Sequence, residues 1–245
     1  EAAGIGTNVA AYVGLGPVRT RVLAQDARAP DAAELARMRG LVANAMCEGA
    51  FGLSTGLFYA PQSFATTDEV VALAREAAVR GGVYDTHQRD ESSYSLGLMG
   101  SIEEVLEIGR RAQLPVHIAH IKALGADVHG SAGEVIARIE RARAQGQQVT
   151  ADQYPWLASS TSLGAALLPG WSVDGGRAAL FARLDDPAAA ARIRGEMRDN
   201  LQRRGGAGSI LMTGSGWPWS ALTLQRYADD AGIDPIEAAL RIIRE

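Results

Sequence analysis

Apolar and polar residues alternate along the first two thirds of the chain in two patterns. One is helical, with apolar positions three and four apart over roughly 10–15 residues. The other is a short β-type run. Such runs are Asn8-Val-Ala-Ala-Tyr-Val-Gly, Phe51-Gly-Leu-Ser-Thr, Val83-Tyr-Asp-Thr-His, Pro115-Val-His-Ile-Ala-His and Gln148-Val-Thr-Ala-Asp. Helix starts are marked by an oxygen-bearing residue followed three later by Glu, the spacing of a capping box. The pairs are Asp31 and Glu34, Thr66 and Glu69, Ser101 and Glu104, Ser131 and Glu134, and Asp234 and Glu237, the last with Pro235 at the first helical position. Gly49, Gly81, Gly82 and Gly146 read as helix stops. Strands that alternate with helices predict βαβ units on a parallel sheet.

Spacing sharpens the prediction. Ser54, His87, His120 and Asp152 each end a β-type run, with separations of 33, 33 and 32 residues. That interval is one βα unit and its return. Polar residues repeated at it fall at one height, the carboxyl ends of adjacent parallel strands, where barrels and open α/β sheets build their sites. The fold class predicted is therefore α/β, a partial (β/α)8 TIM-type barrel: some five units fit in about 155 residues, and residues 158–210 look irregular, so the eight units of a whole ~250-residue barrel are not all present.

The chain, residues 1–245, reads as part of one catalytic barrel domain with no interdomain linker. The βα units run over about 5–157, an irregular insertion over about 158–210, and terminal helices over 220–244. Within the insertion, Pro169-Gly-Trp and Asp174-Gly-Gly signal turns, while Asp186-Pro187 opens a helix that runs to about Arg203. Ser209-Ile-Leu-Met-Thr reads as one more strand, and Trp217-Pro-Trp as a loop.

Composition narrows the function classes. Hydrophobic residues make up 47% and charged residues 21%, the balance of a globular core. A net charge of −4 argues against nucleic acid as a partner. No apolar run approaches the ~20 residues of a membrane span. The first residues lack the basic and apolar regions of a signal peptide, and a single cysteine suits a reducing compartment, so a cytoplasmic location is expected. The chain starts at Glu1 without methionine, inside sequence that already reads as folded, and is expected to be a piece of something longer.

The four histidines are His87, His117, His120 and His129. Imidazoles at adjacent strand ends approach closely, and zinc accepts neutral imidazole nitrogen at about 2.0–2.1 Å. His87 and His120 are the candidate metal ligands. The alternative is that each is a core or loop histidine with a satisfied hydrogen bond. Two ligands are short of the three that a catalytic zinc takes. In a strand His117 and His120 point to opposite faces, so if His120 faces the site, His117 lies on the helix side or tucked below. Arg89 and Lys122 each follow a candidate ligand by two positions, matching cations suited to a carboxylate. Asp152 is either a partner of a histidine or a turn acid. Cys47 reads as a small helix residue and His129 as a loop residue.

Gly49-Ala-Phe-Gly-Leu-Ser-Thr-Gly-Leu-Phe-Tyr-Ala-Pro, Thr86-His-Gln-Arg-Asp-Glu, His120-Ile-Lys and Asp152-Gln-Tyr-Pro-Trp together resemble the N-acyl-D-amino-acid deacylase (D-aminoacylase) family of the amidohydrolase superfamily, over roughly residues 5–170. The resemblance implies a zinc-dependent hydrolase on a barrel of the metal-dependent hydrolase kind, with one or two zinc ions in the full-length protein. Its reaction would be N-acyl-D-amino acid and water to D-amino acid and carboxylate. Its partner would be that small-molecule substrate, with neither nucleic acid nor membrane involved. By the family pattern His87 and His120 hold metal and Lys122 takes the substrate carboxylate. Tyr59 and Tyr154 match pocket aromatics, and Ser160 a small polar position. The family's His-x-His, its metal-bridging residue, often cysteine, and its Ser-Asp-Gly general base have no counterpart here, and Leu15 stands where the family carries histidine. The resemblance therefore implies a chain with no catalytic residue of its own, weak in zinc binding and inactive alone. Competing readings are a degenerate barrel that binds a small carboxylate without chemistry, a cyclic-amide hydrolase of the same superfamily, and a barrel lyase forming a Schiff base at Lys122.

Overall fold

The structure, a computed structural model, describes Gly4 and residues 6–245. Glu1, Ala2, Ala3 and Ile5, where the first βα unit and the resemblance begin, lie outside the described residues. The chain divides into two compact units.

The first unit comprises residues up to Arg89 with Met99–Ile121 and Glu134–Gln153. It holds strands β1 (Val13–Gly14), β2 (Gly52–Gly56), β3 (Val83–His87), β4 (Val116–Ile118) and β5 (Val149–Ala151). All pair in parallel, in the order β1-β2-β3-β4-β5, as in a partial (β/α)8 barrel. Helices α1 (Leu15–Leu23), α2 (Ala32–Cys47), α3 (Thr67–Ala78), α4 (Gly97–Ala112) and α5 (Ala132–Ala144) supply the returns.

Register sorts the strand residues onto two faces. Leu53, Tyr84, Val116 and Val149 align across β2 to β5 and are buried. Ser54, Asp85, His117 and Thr150 align one position later, on the opposite face. One face is thus the apolar floor of the helices and the other a row of polar groups. Two glycines permit the close packing. A Cβ added to Gly52 would lie 2.0 Å from the Val83 carbonyl oxygen, and one on Gly109 of α4 would lie 2.4 Å from Val116 Cγ1.

Helix caps follow the sequence at some positions and depart at others. Asp31 and Glu34 form the complete box, each side chain accepting the other residue's backbone N–H. Thr66 accepts from Glu69 N–H, but Glu69 turns instead to the buried Arg19, with Nη1 at 2.6 Å from Oε2. Ser101 is no cap: it lies buried inside α4, which begins at Gly97. The buried Asp90 carboxylate accepts from the backbone N–H groups of Ser92, Ser95 and Gly97 and sets that start earlier.

The second unit comprises Asp90–Leu98, Lys122–Gly133 and Tyr154–Glu245. Between 158 and 210, where turn signals dominate the sequence, the chain forms helices α6 (Leu163–Leu167), α7 (Gly176–Asp185) and α8 (Pro187–Arg203). Helices α9 (Leu224–Ala231) and α10 (Pro235–Arg244) follow. Their apolar faces share a core that includes Leu167, Leu184, Ile193, Met197, Leu224 and Leu240. The strand expected at Ser209–Thr213 is reduced to a single antiparallel bridge between Leu211 and Thr223, because a 3-10 turn over Ala207–Ser209 consumes its start.

Candidate functional site

β3 ends on His87, whose carbonyl accepts from Leu57 N–H at 3.0 Å and from the Thr86 hydroxyl at 3.0 Å. Behind it, on the floor side of the sheet, Tyr84 Oη, Thr55 Oγ1 and Thr86 Oγ1 form a buried chain of hydroxyls at 2.8 and 2.7 Å. Burial pushes the Tyr84 phenol up to about 12, so it stays a neutral link in that chain.

β4 ends at Ile118, two residues short of His120. The chain then turns, and His120 takes a φ of +39°, left-handed backbone that costs a non-glycine residue about 1–3 kcal/mol. The turn brings His120 Nε2 to 2.9 Å from His87 Nδ1, with ring centroids 4.6 Å apart. Phe58 and Tyr59 wall the His87 ring, at centroid distances of 6.0 and 5.0 Å.

The expectation that His117 lies on the helix side is corrected. It stands in the polar row with Asp85 and Thr150, and its Nδ1 is 2.8 Å from Thr150 Oγ1. Alternation still places His117 on one face, but the strand stops before it can send His120 to the other. Asp152, just past β5, accepts the His120 backbone N–H on one oxygen and lies 3.3 Å from His117 Nε2 on the other. The His120 N–H, first, holds the Asp152 carboxyl below its ordinary value, while burial raises that of Asp85.

The imidazole pair fits a zinc ion in donor type and in spacing. Two nitrogens bound tetrahedrally at ~2.0–2.1 Å stand about 3.3 Å apart, slightly wider than the observed 2.9 Å and within reach of a small ring rotation. The same separation also suits an N–H···N hydrogen bond, with one ring donating and the other accepting.

The cations behave differently from each other and from expectation. Arg89 is not offered to a ligand. Its Nε lies 2.8 Å from Glu104 Oε2, and its two Nη atoms donate to the Ser63 and Ala65 carbonyls at 2.9 and 2.8 Å. The side chain is 13% exposed, and Glu104 pairs its charge. In the second unit, Lys122 Nζ is 2.5 Å from Glu91 Oε1 and 5.5 Å from the Tyr154 ring centroid. Ser160 and His129 are exposed loop residues, Cys47 is the exposed last residue of α2, and Leu15 is buried at the head of α1.

Glu91, Asp85, Thr150 and Phe58 were not among the residues singled out by sequence. Two of them carried a signal. Asp85 precedes His87 by two on a strand and so shares its face, and a half-buried Lys122 requires a counter-ion.

No family model matches the chain. It is 40% identical over 156 residues to a D-aminoacylase of Alcaligenes xylosoxydans xylosoxydans, covering 64% of this chain and 31% of that protein. A solved N-acyl-D-glutamate deacylase from Bordetella bronchiseptica, complexed with zinc and a phosphonate inhibitor, superposes with a TM-score of 0.73 at 32% identity, over 96% of this chain and 42% of that one. A D-aminoacylase studied for its binuclear metal centre gives a TM-score of 0.73 at 29% identity, over 98% of this chain and 43% of that one. The chain thus spans about a third of the length of the curated relatives it matches. Sequence identity and superposition agree with the paired imidazoles at the strand ends, and the chain is similar in sequence and in fold to N-acyl-D-amino-acid deacylases (D-aminoacylases).

Proposed function

We propose that the protein containing this chain hydrolyses the amide bond of N-acyl-D-amino acids, with zinc held by His87 Nδ1 and His120 Nε2. The observation that carries the reading is the 2.9 Å separation of those two nitrogens at neighbouring strand ends. Zinc bound there supplies Lewis acidity toward the amide carbonyl and lowers the pKa of a water toward ~7.

The chain's own residues prepare the site. Each histidine offers one ring nitrogen to the cation. Tyr59, with Phe58, keeps one side of the His87 ring against aromatic carbon rather than water. Lys122 is assigned to the substrate carboxylate, exchanging part of its pairing with Glu91 for the incoming anion. Tyr154, stacked by Lys122, and Ser160 are assigned to the pocket lining. The general base is assigned to no residue of this chain. A single free cysteine supports a reducing compartment, and we assign the protein to the cytoplasm.

Zinc titration of the 245-residue chain, with His87→Ala and His120→Ala beside it, tests the reading. The chain is expected to bind zinc weakly and each variant at least ~10-fold more weakly. It is expected to show no turnover of N-acetyl-D-amino acids alone, whereas the full-length protein cleaves the D and not the L enantiomer. Variants that bind zinc as well as the parent chain would sink the assignment.

A further inference from the structure

We infer that Asp152 is a positioning residue, whose carboxylate holds the left-handed turn at His120 and so aims that imidazole at His87. Three observations converge on it. The neighbours of His120 are fixed by backbone bonds: Ala119 N–H donates to the Thr86 carbonyl at 3.0 Å and Ile121 N–H to the Asp152 carbonyl at 2.9 Å. The N–H of His120 itself goes to the Asp152 side chain. The φ of +39° is therefore secured at its centre by one carboxylate oxygen.

The second carboxylate oxygen is held in turn. His117 Nε2 lies 3.3 Å from it, and His117 Nδ1 is fixed by Thr150 Oγ1 at 2.8 Å. Thr150 and His117 are register partners on β5 and β4, so their contact is built into the sheet. The sheet thus fixes Thr150, Thr150 fixes His117, His117 steadies Asp152, and Asp152 shapes the turn. Without the carboxylate, His120 would relax toward ordinary right-handed or extended backbone and swing its ring away from His87.

Only the zinc-affinity arm of the test rests on the hydrolase reading. The chain is labelled with 15N-histidine, and the proton shared between His87 and His120 is followed by NMR without metal. Zinc affinity is measured in parallel by calorimetry. Asp152→Ala is expected to abolish the shared-proton signal and to weaken zinc binding about 10–100-fold. Asp152→Asn keeps an oxygen that accepts the His120 N–H and is expected to retain both. Thr150→Val, which frees only His117, is expected to fall between them, and it decides the matter with Asp152→Asn should Asp152→Ala not fold. If Asp152→Ala keeps both the signal and the affinity and merely melts earlier, the carboxylate is a structural prop and the inference is overturned. If the parent chain takes up no zinc, the hydrolase reading fails, and the metal-free signal still decides the role of Asp152.

Discussion

Gln88 is fully buried between His87 and Arg89, and among the described residues neither its amide oxygen nor its nitrogen has a partner. An unmet buried amide costs about 1–3 kcal/mol. Gln88→Met removes the polar atoms at similar volume and is expected to raise unfolding stability by about that amount, measured by urea denaturation. A variant less stable than the parent would show that the amide is satisfied in solution. The residues around it show how much of the site was legible. The interval of 33 picked out His87 and His120, although the register pairs Ser54 with Asp85 rather than with His87, and the turn after Ile118 brings the two rings together. It could not show that β4 stops at Ile118, since a turn of left-handed backbone at a histidine has no composition signature. For the same reason the sequence alone does not place His117 in the row with Asp85 and Thr150. The capture of Arg89 by Glu104 was also hidden, because those two partners meet only once α4 has docked.

At the scale of elements, the capping box at α2 was legible and also carries a pH dependence. Hydrogen bonds from Arg28 and then from Asp31 N–H lower the Glu34 pKa from 4.5 to about 2. A depressed folded value means that the contribution is complete above the unfolded value, near 4.5, and disappears as pH falls toward about 2. Thermal melts of the parent and of Glu34→Gln should therefore differ at pH 6 and converge by pH ~2. A gap that stays constant across that range would refute the linkage. Gly52 gives a second test. Any Cβ there meets the Val83 carbonyl oxygen at 2.0 Å, so Gly52→Ala is expected to destabilise by about 1–3 kcal/mol in denaturant titrations. Neutrality would mean that β2 and β3 slide apart without cost. Helix starts dominated by one local cap were readable. The start of α4 was not, because its anchor, Asp90, lies seven residues before Gly97 and reaches it through a loop. Between 158 and 210, frequent small residues and turn signals masked α6 and α7, whose stability comes from a shared core rather than from periodicity.

For the molecule as a whole, the strand order was fully legible, because in-line βα units leave only the neighbouring position for each new strand. The same order leaves β1 and β5 with a strand partner on one side only among the described residues. Exposed strand edges recruit further strands. Sedimentation of the 245-residue chain is expected to show concentration-dependent self-association, reduced by Ala151→Lys at the rim of β5. A monodisperse parent at all concentrations would argue that these rims are inert. A sheet in which every pairing joins sequence neighbours has one more property. Another repeat can be appended at either flank without rewiring any existing contact, so tandem duplication of a single repeat in the gene would lengthen the sheet rather than break it.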